Sequence, residues 1–147
     1  IIGGTIRGTV NGLLILLVGI TLGGISVMQP FATVGFIILV SVAFSSIGFL
    51  LGQLADTWDQ LATLQNFLLT PLSFLGGIFY SIKMLPDWAQ AASFYNPIYY
   101  MINGLRFTIL GVSDSPPMTS FIVALIMTVG FFLTAVLMME SGKKIKQ

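Results

Sequence analysis

Residues 61–111 decide the fold, and they read LATLQNFLLTPLSFLGGIFYSIKMLPDWAQAASFYNPIYYMINGLRFTILG. An apolar stretch ends near residue 81, a second short one follows, and a third begins at Asn96-Pro97. Pro86 and Pro97 have no N–H group, so each fits best where a new helix begins. A soluble domain has no use for three short apolar pieces, whereas a chain that crosses a bilayer and dips partly back does.

The last of these pieces carries its own start and stop signals. Asn96 is a good N-cap, because its side chain can accept from the free N–H groups of the next turn, and Gly111 fits a C-cap. The helix between them, Ile98–Leu110, has 13 residues and is about 20 Å long, whereas the hydrocarbon core is roughly 30 Å thick. We therefore predict a re-entrant or interfacial helical element over residues 81–111, at a depth where protein or a water-filled cavity must satisfy the backbone.

The composition excludes a soluble domain. The chain has 147 residues, of which 56% are hydrophobic and 7% are charged, whereas a soluble domain has about 25% charged residues. We predict an all-α fold, a polytopic membrane helix bundle, with residues 1–147 forming a single transmembrane domain. A further expectation is that the chain is the C-terminal part of a longer protein, because it begins at Ile1 almost directly in an apolar region.

The residue types present leave little room for catalysis. The sequence contains no Cys and no His, which removes thiol chemistry, zinc clusters and imidazole acid–base chemistry. Gly142-Lys143 lacks the preceding glycine of a phosphate-binding loop. We predict a protein that is not an enzyme and has no cofactor or metal site. No basic stripe indicates nucleic acid as a partner.

Four membrane spans are predicted from the apolar runs. They are Thr9–Met28, Phe31–Leu54, Leu61–Tyr80 and Thr119–Met139. A tight turn at Gln29-Pro30 joins the first two, and Pro71 should kink the third. Small residues recur every three or four positions, which lets membrane helices approach closely; they are Gly4, Gly8, Gly12, Ser41, Ser45, Gly48 and Gly52.

The basic residues predict the orientation, because cytoplasmic loops carry more Lys and Arg. The tail with Lys143, Lys144 and Lys146 should be cytoplasmic. With four spans, Arg7 then lies on the same side and should extend to the nearby interface. Residues 55–60 also face the cytoplasm, and residues 81–118 face outward.

A few polar side chains lie in the apolar pieces. Tyr99, Asn103 and Arg106 share one face of the 98–110 helix, and Arg106 either extends to the outer interface or lies on a face that lines or gates a substrate path. Near the start of the third span, Gln65, Asn66 and Thr70 lie at a helix interface or on a translocation path. Residues 55–60, ADTWDQ, form either a solvated loop with an interfacial Trp or a short helix that docks on a partner.

The chain resembles the C-terminal signature of ABC-2 type ABC-transporter permeases. The resemblance rests on PLSFLGGIFY at 71–80, LPDW at 85–88 and NPIYYMINGLR at 96–106. It is most similar to the bacterial inner-membrane export permeases of that family, the group that includes the nodulation-factor and drug exporters.

The resemblance implies a six-span permease with both ends cytoplasmic, of which this chain would hold the last four spans. It also implies a partner, a separate ABC ATPase dimer that powers two permease subunits, most simply a homodimer in the bacterial inner membrane. By position, the ATPase contact would be Asp56, Thr57, Trp58, Asp59 and Gln60. Closure of the ATPase would shift the third span and the outer helices, and the residues expected on the pathway or gate are Gln65, Asn66, Thr70, Pro71, Tyr99, Asn103 and Arg106.

Two other classes stay open at this point. The chain could be a fragment of a secondary transporter or channel, but the predicted spans contain no central carboxylate for ion coupling. It could also be a membrane scaffold subunit that transports nothing. The sequence does not indicate a substrate.

Overall fold

The computed structural model describes residues 1–78 and 80–141, and within them the chain is helical, with no strand. The predicted all-α membrane bundle is therefore confirmed. In chain order the helices are α1 (Ile2–Gly23), α2 (Pro30–Leu54), α3 (Trp58–Leu75), a 3-10 turn (Ile82–Met84), α4 (Asp87–Phe94), α5 (Pro97–Leu110) and α6 (Pro117–Glu140). The basic tail lies outside the described residues, so its orientation stays a prediction.

Three of these helices, α1, α2 and α6, are long and apolar enough to cross a membrane. α1 begins at Ile2, before the predicted Thr9. It also ends before the predicted Met28, because Gly24 adopts a left-handed conformation with φ 61° and caps the helix. Residues 24–29 therefore form a longer connection than the predicted tight turn at Gln29-Pro30.

The remaining predicted span, Leu61–Tyr80, differs most from the structure. α3 starts at Trp58 and ends at Leu75, five residues before the predicted end. Gly76 and Gly77 follow, and Gly77 has φ 76°, a backbone that glycine adopts without strain and that ends a helix. Because its first turns are polar, α3 is also less apolar than α1, α2 and α6.

α2 is the centre of the bundle and packs against α1, α3, α5 and α6. A buried hydrophobic cluster joins α2, α5 and α6 through Phe36, Ala43, Met101 and Ala124. Phe36 lies beside Phe121 of α6, with ring centroids 6.4 Å apart. The most apolar helices thus pack together, and α3 lies at the margin.

α1 packs on α2 through the predicted small residues. A Cβ added to Gly8 would lie 3.0 Å from Ser41 Oγ, and one added to Gly12 would lie 2.8 Å from Ile37 Cγ2. Gly4 faces Ser45 in the same way, and the Ser45 hydroxyl donates to the Ile1 carbonyl at 2.6 Å. The predicted close approach is confirmed here, whereas Gly48 and Gly52 have no neighbour within 4 Å of an added Cβ.

The packing fixes the direction of each helix. α1 is antiparallel to α2 by the pairs just named. α5 is also antiparallel to α2, because Gly104 lies against Phe36 and Gly111 against Met28. The bundle therefore has a coupling end, which holds residues 54–58 and 140, and a hairpin end, which holds residues 24–29 and 111–116.

Replacing Gly8 with leucine should separate α1 from α2. The new side chain meets Ser41, and overpacking of this kind costs about 1–3 kcal/mol. We expect a lower thermal unfolding midpoint of the purified protein in detergent. The control is Gly3→Leu on the same helix, where an added Cβ meets nothing within 4 Å. Equal midpoints for the two variants would contradict the register.

Candidate functional site

The C-terminal carbonyls of α3 are capped by other parts of the chain. A helix leaves its last four C=O groups without intrahelical partners. Asn96 Nδ2 donates to the Leu72 carbonyl at 2.5 Å, and Ser93 Oγ donates to that of Leu75 at 2.8 Å. Tyr80 Oη donates to the Phe74 carbonyl at 2.7 Å. Hydrogen-bond donors in the segment that follows α3 thus satisfy its last carbonyls.

α4 and α5 form a helical hairpin whose predicted caps are confirmed. Asn96 Oδ1 accepts from the Ile98 N–H at 3.0 Å, Pro97 is the first residue of α5, and Gly111 ends that helix with φ 73°. α4 has 8 residues and α5 has 14, so neither is long enough to cross a core of roughly 30 Å. Asn96 therefore both starts α5 and caps α3.

Arg106 pairs with a carboxylate that the sequence analysis did not single out. Its Nη1 lies 3.0 Å from Asp114 Oδ2, and its Nη2 donates to the Gly77 carbonyl. Asp114 Oδ1 also accepts from the Ser81 hydroxyl at 2.8 Å. We name these four residues, Gly77, Ser81, Arg106 and Asp114, the clamp. The clamp ties the residues after α3 to the last turns of α5 and to the loop before α6.

Asn103 joins the same loop to α6. Its Oδ1 accepts from the Asp114 N–H at 2.8 Å, and its Nδ2 donates to Ser120 Oγ at 2.7 Å and to Ser115 Oγ at 3.0 Å. Tyr99 is buried one turn earlier, with its ring edge-on to that of Tyr100 at 4.9 Å. These side chains contact other residues of this chain, and Arg106 pairs with Asp114 of the same chain.

The pathway residues predicted on α3 lie elsewhere. Gln65, Asn66 and Thr70 are exposed, nearer the coupling end than the clamp, and α3 continues through Pro71 to Leu75. The predicted pathway and gate residues therefore form two groups, one exposed on α3 and one interior on α5. The sequence analysis placed both in membrane-embedded pieces but could not separate them.

The α2–α3 turn is an ordered helix start. Thr57 Oγ1 accepts from the Gln60 N–H at 3.2 Å, and Gln60 Oε1 accepts from the Asp56 N–H at 2.7 Å. This reciprocal capping places Trp58 and Asp59 in the first turn of α3, with Trp58 85% exposed. Beside it lies a cleft of about 280 Å³ lined by Gly52, Ala55, Asp56, Thr57, Trp58 and Leu61. Residues 55–57 thus form a turn and residues 58–60 begin the long helix α3, so no separate short helix forms here, and docking on a partner stays a prediction.

Asp114→Asn should destabilise the hairpin end. The change leaves the Arg106 guanidinium without its counter-charge, at a cost of about 2–3 kcal/mol, below that of a fully buried pair because the side chains are 21% and 10% exposed. The measurement is the unfolding free energy of Asp114→Asn, Arg106→Met and the double variant. We expect the double variant to lose less than the sum of the single changes.

The matched control is Asp87→Asn, an exposed carboxylate in the first turn of α4. Its loss should cost less than about 1 kcal/mol. Additive effects of Asp114 and Arg106 would show that the pair does not couple the two segments.

Comparison with known proteins gives consistent matches. Residues 1–110 match the ABC-2 type transporter membrane family. The chain is 35% identical over 144 residues to the "Inner membrane transport permease YadH" of Escherichia coli strain K12, which is 98% of this chain and 56% of that protein. It is 32% identical over 75 residues to "Nodulation protein J" of Rhizobium leguminosarum bv. trifolii, which is 51% of this chain and 29% of that protein. The chain thus spans about half the length of the Escherichia coli relative that it matches.

Proposed function

Because this chain belongs to the ABC-2 type transporter membrane family, we propose that it forms the permease part of an ATP-driven exporter. Transport, rather than catalysis, is the activity of the family. The proposal adds three features, namely a separate ABC ATPase dimer, a second permease subunit in a homodimer, and outward movement of a substrate across a bacterial inner membrane. The Escherichia coli relative is an inner membrane transport permease, which supports the proposed location in the inner membrane.

The coupling end supplies the surface for the ATPase. The single observation that carries this proposal is the exposed, reciprocally capped turn at Asp56, Thr57, Trp58, Asp59 and Gln60, which joins the central helix α2 to the marginal helix α3. An exposed tryptophan with polar neighbours fits the anchor of a protein interface. A force applied here would move α3 relative to the rest of the bundle.

The exposed polar face of α3 supplies the substrate path in this proposal. Gln65, Asn66 and Thr70 make no hydrogen bond through their side chains within the described part of the chain. Polar side chains at membrane depth require protein or water around them. This requirement would be met if the polar face of α3 lined a water-filled path between this chain and a second subunit.

In this proposal, three side chains of α5 contribute to the gate by holding neighbouring helices in place, and they do not contact the substrate. Tyr99, Asn103 and Arg106 hold the α4–α5 hairpin against α6 and against the end of α3. Pro71 and Gly76-Gly77 flank the last turn of α3 and are the proposed flex points. Transport that is unchanged in Pro71→Ala and Gly76→Ala variants would remove the hinge from this account.

The other classes are now less favoured. Membership of an ABC-2 family disfavours a secondary transporter or channel. A scaffold subunit without transport would need neither the exposed coupling turn nor the polar face of α3.

A cysteine at Asp59 should crosslink to the ATPase subunit in native membranes. These 147 residues contain no Cys, so the introduced thiol is the only one in this part of the protein. The control is Trp88→Cys, also exposed but on α4 near the hairpin end. We expect an adduct with a nucleotide-binding subunit at Asp59 and none at Trp88. The reverse pattern would exclude this turn as the contact.

A cysteine at Asn66 should react with a charged, membrane-impermeant maleimide. If α3 lines a water-filled path, Asn66→Cys reacts several-fold faster than Phe67→Cys, which replaces a side chain that is 80% exposed and one position round the helix. Labelling is read by mass shift of the intact protein. If both cysteines were equally slow to react with the maleimide, the polar face of α3 would lie against lipid or a dry protein interface.

A further inference from the structure

A polar groove runs between α1 and α2. It has a volume of about 430 Å³ and is lined by Gly4, Arg7, Gly8, Asn11, Val40, Ser41, Phe44 and Ser45. The α1 residues recur at three- and four-residue spacing and share one face of the helix. The groove therefore combines small residues with one cation and one amide.

Arg7 lies far deeper along the bundle than its place near the start of the chain predicted. The pairs Gly4–Ser45, Gly8–Ser41 and Gly12–Ile37 put Arg7 opposite residue 42, the midpoint of Pro30–Leu54. A point 12 residues from each end of α2 is about 18 Å from either end. The backbone of Arg7 is thus level with the centre of the most apolar part of the bundle.

Arg7 has no partner in the part of the chain that the structure describes. Its side chain makes no hydrogen bond or ion pair within residues 1–78 and 80–141. The acidic residues lie at the two ends of the bundle; they are Asp56, Asp59, Glu140, Asp87 and Asp114. Neither this chain nor a second copy of it can therefore bring a carboxylate level with Arg7 in an aligned membrane.

We propose that a further membrane helix docks in this groove and places an Asp or Glu side chain against Arg7. A charge at this depth almost always faces protein or water and pairs with an opposite charge. The glycine and serine residues along the groove let a helix approach closely, and Asn11 offers a second hydrogen bond one turn away. α1 buries none of its residues within this chain, so the groove is open to such a helix.

The occupant is a helix rather than a lipid headgroup. A phospholipid phosphate lies at the bilayer surface, whereas Arg7 is opposite the midpoint of α2. The curated relatives also contain additional chain, since the match covers 56% of the Escherichia coli protein, and such chain is one source of the helix. The inference stands apart from the proposed export function, because it concerns packing and not transport.

Photocrosslinking in native membranes tests the inference with Arg7 left in place. Asn11→Cys, labelled with a benzophenone maleimide, should yield an adduct with a membrane-helix peptide that contains Asp or Glu, identified by mass spectrometry. The control is Ile6→Cys, 59% exposed on the opposite face of α1, which should yield mainly lipid adducts. Lipid adducts alone at Asn11, or a peptide without a carboxylate, would overturn the proposal.

Charge reversal then tests the ion pair itself. Arg7→Glu should lower the amount of folded protein in the membrane several-fold, and reversing the identified carboxylate to Arg in the same molecule should restore it. Lys83→Glu, an exposed cation after α3, is the matched control and should have little effect. Normal levels of the Arg7→Glu variant, or no rescue by the second reversal, would overturn the pairing.

Discussion

The structure depends on one constraint. Where a helix ends inside the apolar bundle, its last backbone carbonyls must find hydrogen-bond donors within the protein. Where water is absent, a free carbonyl is costly, and non-helical backbone persists only where protein supplies donors. α3 ends at Leu75, short of the hairpin end, and its last carbonyls accept from Asn96, Ser93 and Tyr80. Each of these donors lies in the segment that follows, so α4 and α5 must pack back against α3.

The same constraint explains the polar residues of α5. Arg106 donates to the carbonyl of Gly77 and pairs with Asp114, while Asn103 fixes the loop that carries Asp114. These contacts join α3, α5 and α6 at the hairpin end, whereas α1 and α2 meet through glycine and serine. In the proposed transport cycle α3 links the ATPase surface to the hairpin, with Pro71 and Gly77 at the turn between them.

The features of the fold that depend on neighbouring residues could be predicted from the sequence. A helix start or cap depends only on residues a few positions away. The predicted cap roles of Asn96 and Gly111 and the helix start at Pro97 are therefore confirmed. Hydrophobic length likewise predicted spans over Phe31–Leu54 and Thr119–Met139, where the structure has the helices Pro30–Leu54 and Pro117–Glu140. The Asp114 partner of Arg106 and the depth of Arg7 each depend on contacts outside the helix that carries the arginine. An arginine in an apolar helix favours pairing with an acidic residue, and within the described residues the fold shows that partner for Arg106 but not for Arg7.

The central claim is that this chain works with a separate ATPase. Its most direct test is extraction of the protein from native membranes in mild detergent, with mass spectrometry of what copurifies and measurement of ATP hydrolysis. The account predicts a stoichiometric nucleotide-binding subunit whose hydrolysis rate changes when the permease is present. Extraction in several detergents with no ATPase subunit would contradict it.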